Sequence, residues 1–271
     1  MGSKNRSIRV PHDQIEGVEG FLRSSGLKKR QVKNTLWSYE GEGVYLNMYP
    51  SGILLIQGRD GDRWAEKILE RIEPPEGPLA GCDEVGKGDI FGPLVLCCAV
   101  IPPESFRKVL SLAPKDSKIM KDEEVLQKAE KLKRLVRTRC IVLMPERLNE
   151  LYERYGNINR LMDDAYRKII MNIREELNPE RIYVDRYSGR NPFQDIEGVL
   201  FFEKGERDVA VSVASIIARA KFLKKVKELE GELGRKIPKG ASSEAKELAH
   251  SILREKPQQA KRFLKLSFIQ S

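Results

Sequence analysis

The chain has 271 residues, 40% hydrophobic and 33% charged, with a formal charge of +9; that is room for one large domain or two smaller ones. No run of about 18 apolar residues occurs, which excludes a membrane-spanning helix, and the N-terminus lacks the apolar stretch of a secretory signal. A cytoplasmic setting is expected, and the basic excess suits a polyanionic partner as well as it suits a merely soluble basic protein.

Along the chain, "SIRVP" reads as a short strand. "PHDQIEGVEGFLRSSG" carries Ile15, Val18 and Leu22 at helical spacing and stops at Gly26. Three strand-like runs follow, "QVKNTLWSYE", "VYLNMYP" and "GILLIQG", separated by the hairpin signals "GEG" and "PSG". "DRWAEKILERI" predicts a helix with Asp62 as its N-cap. Residues 1–72 thus form a small α+β module, a curved antiparallel sheet backed by two helices. "EPPEGP", residues 73–78, is a linker.

Residues 79–271 form a larger unit. "PLAGCDEV" and "GPLVLCCAVI" read as strands, the second apolar throughout and therefore central. "KDEEVLQKAEKLKRLV" is a helix and "TRCIVLMP" a strand. "NINRLMDDAYRKIIMNIREEL" is a long helix with a stripe of Leu161, Ala165, Ile169, Ile173 and Leu177. "RIYVDRY" and "GVLFFEKG" are further strands, and "VAVSVASIIARAKFLKKVKELEGEL", "SSEAKELAHSILREK" and "PQQAKRFLKLSF" are helical. The pattern predicts an α/β fold with a mixed sheet covered by helices.

The four cysteines, Cys82, Cys97, Cys98 and Cys140, contain no C-x-x-C pair, which argues against structural zinc. A cytosolic setting makes them reduced, buried thiols; a bond from Cys82 to Cys97 or Cys98 is the alternative, because those segments read as neighbouring strands. His12 and His250 are the only histidines. Neither stands near a serine or cysteine with nucleophile character, so a histidine triad is excluded.

"GCDEVGKGD", residues 81–89, has the spacing of a phosphate-cradling G-x-x-x-x-G-K loop. That reading requires Ser or Thr after the lysine and a helix beyond it. Gly88 and the strand "DIFGPLVLCCAVI" stand there instead, and Asp83 and Glu84 would repel a bound phosphate. As carboxylates, Asp83 and Glu84 are hard oxygen donors for a divalent cation. Taken alone, such a pair is usually just solvated at a turn. Neighbours on a strand point to opposite faces, so both reach one site only if the backbone turns, which Gly86 and Gly88 permit. Asp185, among apolar residues in "RIYVDRY", is costly unless it has a role or a partner such as Arg181 or Arg186. Glu203, Glu206 and Asp208 form a third acidic group at a strand–helix junction, where acids also serve as caps. Three such groups at strand ends can meet on one sheet edge and hold two divalent ions for phosphodiester chemistry.

These segments resemble the type 2 ribonucleases H, most closely their HIII members. "GCDEVGKGDIFGPLV", "DSKIM", "LNELYERYGNINRLM", "YVDRYSG", "KGERDVAVSVASIIAR", "LGRKIPKGAS" and "KRFLKLSF" match that family in order and cover most of residues 79–268. The resemblance implies a ribonuclease H-like fold and, in residues 1–72, a TATA-binding-protein-like domain that binds substrate. It implies an endonuclease cleaving the RNA strand of RNA/DNA hybrids with two Mg²⁺ or Mn²⁺ ions, leaving 5′-phosphate and 3′-hydroxyl ends. It expects a monomer with no organic cofactor and no membrane attachment. Asp83, Glu84 and Asp185 match the catalytic, metal-holding acids, and Glu206 in "KGER" matches the fourth, with Glu203 and Asp208 within reach of another alignment. Gly86, Lys87 and Gly88 match the segment that reads the RNA 2′-hydroxyl, and Lys118 matches a phosphate contact. Ser267 stands where the family usually has a histidine. In the N-terminal module, Lys28, Lys29, Arg30 and Lys33 offer positive charge. Trp37, Tyr39, Tyr45 and Tyr49 offer surfaces for sugar or base, or alternate into the module's own core. The competing readings are an HII-like enzyme that incises at single ribonucleotides in duplex DNA, and a non-catalytic nucleic-acid-binding protein.

Overall fold

A computed structural model describes residues 5–112, 117, 120–203, 205 and 208–269. The first sheet is antiparallel. Strands β1 (Arg6–Arg9), β2 (Lys28–Arg30), β3 (Trp37–Gly41), β4 (Val44–Met48) and β5 (Ile53–Gly58) run in the order β1-β5-β4-β3-β2. Alternation sets one face: Val44, Leu46, Met48, Leu54 and Ile56 are buried, together with Ile15, Val18 and Leu22 of α1 (Ile15–Ser24). Helix α2 (Gly61–Arg71) adds Trp64 and Ile68 to the same cluster.

One strand lies outside the expectations, and two local expectations need correction. The basic stretch Lys28–Arg30 is itself the edge strand, paired with β3. The run from Gln31 becomes a strand only at Trp37, because Asn34 adopts a left-handed φ of 64° and turns the chain. Asp62 sits in the first turn of α2 rather than at its cap and pairs with Arg6.

The second sheet is mixed. Strands β6 (Leu79–Val85), β7 (Leu94–Ile101), β8 (Arg137–Leu143), β9 (Arg181–Asp185) and β10 (Val199–Phe202) lie in the order β10-β9-β6-β7-β8. β9 runs parallel to both β6 and β10, while β7 is antiparallel to β6 and β8. Every residue of β7 is buried, as its continuous apolar sequence requires. Its odd-numbered residues from Val95 to Ile101 join the core under α4 (Asp122–Leu132) and α7 (Val209–Leu233). Its even-numbered residues from Leu94 to Val100 join the core under α6 (Ile158–Leu177). Two helices outside the expectations complete this part: α3 (Phe106–Ser111) and α5 (Pro145–Tyr155). The chain ends in α8 (Ser243–Glu255) and the short α9 (Ala260–Phe263).

Helix α7 lies very close to β6. A Cβ on Gly81 would run into the backbone of Ala210 and Val211, so only glycine allows this approach. Phe106, Val109 and Leu110 of α3 share one apolar cluster with the first sheet, and Arg107 donates to the Ile72 carbonyl at 2.9 Å. Gln14 and Glu73 exchange two hydrogen bonds, 2.9 and 2.8 Å, tying the segment after α2 to the residue before α1.

The cysteines depart from the reduced-thiol expectation. The strand register sets Cys82 opposite Cys98 and Cys97 opposite Cys140, and each pair is disulfide-bonded, with Cα atoms 4.0 and 4.1 Å apart. The adjacent residues Cys97 and Cys98 point to opposite faces of β7, and the register gives each a cysteine on a different neighbouring strand. The pairing of Cys140 depends on the β7–β8 register, which the cysteine spacing does not reveal.

Candidate active site

Strand β6 carries Asp83 and Glu84 near its carboxyl end, beside the end of β9, where Asp185 stands. The last parallel partners are Cys82 and Val184, so the next residue of each strand is an acid. Asp83 is buried and leaves β6 toward α7, where the Ser215 hydroxyl bonds its carboxylate. The Ser215 hydroxyl also lies 2.8 Å from that of Ser117, a contact in which either hydroxyl can donate. The Glu84 N–H also donates to Asp83, at 2.8 Å. Glu84 leaves from the other face, where the Tyr166 hydroxyl of α6 donates to it at 3.0 Å. The β6 backbone remains paired with β7 through both residues. The turn comes only at Gly86, where φ is +90° and a Cβ would meet the Pro93 carbonyl. Gly88 is exposed with open space around it.

Asp185 accepts the Gly205 N–H at 2.9 Å, and a Cβ on Gly205 would crowd that carboxylate at 2.7 Å. Arg181 and Arg186, the candidate partners of Asp185, lie against Glu180 and Glu203 respectively, at 3.6 and 3.2 Å. That ion pair holds Glu203 at the surface. Asp208 caps α7, accepting the Val211 N–H at 3.0 Å, and burial pushes its pKa up to about 6. Glu206 and Lys118 lie outside the described residues.

Electrostatically the site is a concentration of negative charge. Burial first, then Glu84, then Asp185 push Asp83 well above the usual carboxylate range; no cation is among its main influences. Tyr166 is pushed up by burial and by the same two acids of β6, so it remains a neutral donor. Among the described residues, no three acidic, histidine or cysteine side chains converge on one point at ligating distance, because Asp83 and Glu84 straddle the strand. As oxygen donors these acids suit Mg²⁺ or Mn²⁺, and their mutual repulsion is what such an ion would relieve.

The loop from Gly86 to Asp89 borders these acids. The Lys87 ammonium donates to the Tyr187 carbonyl and lies 5.6 Å from the Tyr187 ring centre, so its side chain braces the loop against the end of β9. The expectations did not single out Tyr166, Ser215, Asp163 or Lys265. Tyr187 donates to Asp163 at 2.6 Å and stacks on Tyr166 at 5.4 Å. Lys265 reaches the loop from the C-terminal segment, as described below.

In the first sheet, Trp37 and Tyr39 are buried in the apolar core and unavailable as a docking surface. Tyr45 is 48% exposed, with the Arg30 guanidinium 5.1 Å from its ring centre. Lys29 pairs with Glu19 of α1 at 2.9 Å, and Lys33 is exposed.

Acidic side chains at the carboxyl ends of parallel strands, in a sheet covered on both faces, define an α/β enzyme architecture. The family model described as Ribonuclease HII matches residues 80–271. The ribonuclease HIII of Aquifex aeolicus is 44% identical over 262 residues, 97% of this chain and 98% of that protein. The ribonuclease HIII of Chlamydia pneumoniae is 30% identical over 83% of each chain. The crystal structure of Aquifex aeolicus RNase H3 superposes with a TM-score of 0.65, covering 97% of this chain and 99% of that one. The chain belongs to the ribonuclease HII family, with its HIII relatives, and is a ribonuclease H enzyme.

The raised Asp83 pKa fixes a sign. A buried acid that holds its proton more tightly in the folded state stabilises the fold below the ordinary carboxylate pKa. It loses that contribution as pH rises from there through the raised folded value. In chelator at pH 8, Asp83→Asn therefore stabilises the protein by about 1–3 kcal/mol, and the gain disappears near pH 4. Urea denaturation at the two pH values checks this; a variant no more stable than the parent at pH 8 contradicts it.

Proposed function

We propose that the protein hydrolyses the RNA strand of RNA/DNA hybrids endonucleolytically, leaving 5′-phosphate and 3′-hydroxyl ends. Residues 1–72 serve as a substrate-binding domain, residues 73–78 as a linker and residues 79–271 as the catalytic domain. The observation that carries the reading is the meeting of Asp83 and Asp185 at the ends of adjacent parallel strands, where burial, Glu84 and Asp185 all push the Asp83 pKa up. Asp83, Glu84, Asp185 and Glu206 would hold two Mg²⁺ or Mn²⁺ ions, with Glu84 reaching the shared site around the carboxyl end of β6, because the backbone does not turn between it and Asp83. When bound, such ions supply an activated water and neutralise charge on the leaving oxygen.

The remaining roles belong to the chain's own groups. Ser215, with Ser117 behind it, fixes the Asp83 carboxylate, and Gly205 fixes that of Asp185. Tyr166 orients Glu84. The Gly86-Lys87-Gly88 backbone faces the ribose: the amide groups of Lys87 and Gly88 have no partner among the described residues, and the open space at Gly88 admits a sugar edge. A 2′-hydroxyl, which both donates and accepts, distinguishes RNA from DNA at such a surface. Lys118 would contact a phosphate. Arg30 with Tyr45, and Lys29 with Lys33, give the first module a basic and aromatic surface for the hybrid backbone.

A gel assay on end-labelled hybrid tests the chemistry. Parent enzyme cleaves the RNA strand with Mg²⁺ or Mn²⁺ and not with chelator. Asp185→Asn lowers the rate by at least about 100-fold while retaining hybrid binding. Cleavage by Asp185→Asn at the parental rate would remove the basis for this assignment.

The module's contribution is measured separately. Replacing Lys29 and Lys33 with Ala weakens hybrid affinity and lowers the slope of log affinity against log salt by about one per lost phosphate contact. An unchanged affinity and slope place the hybrid elsewhere on the molecule.

A further inference from the structure

Lys265 is wholly buried, unusual for a lysine; the Asp89 carboxylate acts on it only from a distance, and its hydrogen bonds go to backbone carbonyls. Its ammonium nitrogen donates to the Gly86 carbonyl and, at 2.9 Å, to the Asp89 carbonyl. These two carbonyls bracket the loop that carries Lys87 and Gly88. A trans peptide unit is planar, with its C=O and N–H pointing opposite ways. Drawing the Gly86 carbonyl inward onto Lys265 therefore turns the Lys87 N–H outward. The same geometry is visible at the other end: the Asp89 carbonyl meets Lys265 while the Ile90 N–H donates to the Gly240 carbonyl at 3.1 Å.

The lysine is itself held. Its own N–H donates to the Ile90 carbonyl at 2.9 Å. On either side of it, the buried Asn149 of α5 donates to the Leu264 carbonyl at 2.8 Å and accepts the Leu266 N–H at 3.0 Å. Segment 264–266 is thus pinned to α5, and the loop is pinned to the segment.

We propose that Lys265 is a positioning residue for substrate recognition, clamping the Gly86–Asp89 loop from beneath so that its outward amide groups are preset for the ribose. The inference rests on the reading of that loop as the part that contacts the RNA strand. Burial lowers the Lys265 pKa to about 7, and either protonation state keeps the two N–H groups that the carbonyls require.

Lys265→Met keeps the length and removes the donors. Two measurements on the full-length variant decide the matter: steady-state cleavage of hybrid, and amide hydrogen exchange of the loop. In a folded variant, exchange at Asp89 and Ile90 accelerates by about 10-fold. At the same time kcat on the hybrid falls on the order of 10- to 100-fold with KM little changed, because phosphate contacts elsewhere still supply affinity. A folded variant with parental kcat overturns the proposal, whether or not its exchange changes. So does a lowered kcat with parental exchange, since the loop would then not be what Lys265 holds. If Lys265→Met does not fold, Asn149→Ala, which loosens the segment one step away, takes its place under the same criteria. A parent that does not cut hybrid at all counts against the functional reading instead, while the exchange arm still judges the clamp.

Discussion

The structure around the site is organised by repulsion. Asp83 is buried within the field of Glu84 and Asp185, with no cation among its main influences. Bringing like charges together in a poorly solvated place is unfavourable unless something binds there or protons are taken up. A fold that served stability alone would place apolar residues at these positions. The strands, the close helix and the two small residues that cup the acids all maintain an arrangement that the metal-free protein would relax if it were able to.

How the fold maintains it can be traced to particular contacts. Gly81 lets α7 approach β6 closely enough for Ser215 to reach Asp83. Gly205 leaves room for the Asp185 carboxylate and supplies its N–H. Parallel pairing of β6 with β9 brings together acids about a hundred residues apart in the chain. On the far side, Tyr166 stacks on Tyr187 and donates to Glu84. The loop beside the acids is braced by Lys87 from one side and Lys265 from the other.

Much of this was legible in the sequence, and the parts that were not share a cause. Alternation in "VYLNM" and the unbroken apolar run of "LVLCCAVI" announce their strands because burial on one face or two leaves a periodic mark. The stripe of α6 is equally plain: Leu161, Ile169 and Ile173 are all buried. Asp83 and Asp185 stand out because an acid in an apolar strand is expensive. Lys28–Arg30 leaves no apolar mark, since an edge strand of charged residues is held by backbone pairing and ion pairs rather than by burial. The cysteine pairing, the Tyr166–Glu84 bond and the Lys265 contacts depend on register and on helix placement, which no local pattern encodes. Lys265 in particular reads as one more surface charge in a lysine-rich tail until the fold buries it. Even so, Pro145 at the first turn of α5 is a usable helix start signal.

The central claim is that the acids at the ends of β6 and β9 are held apart from neutrality for a divalent cation. The direct measurement is the melting temperature of the full-length protein at pH 8 as Mg²⁺ or Mn²⁺ is titrated in, with Ca²⁺-free chelated protein as the starting point. Linkage requires a ligand that binds only the folded state to raise it progressively, by about 2.7 kcal/mol of stability at a hundredfold excess over the dissociation constant. A saturable rise supports the account. A melting temperature that stays flat to millimolar metal contradicts it.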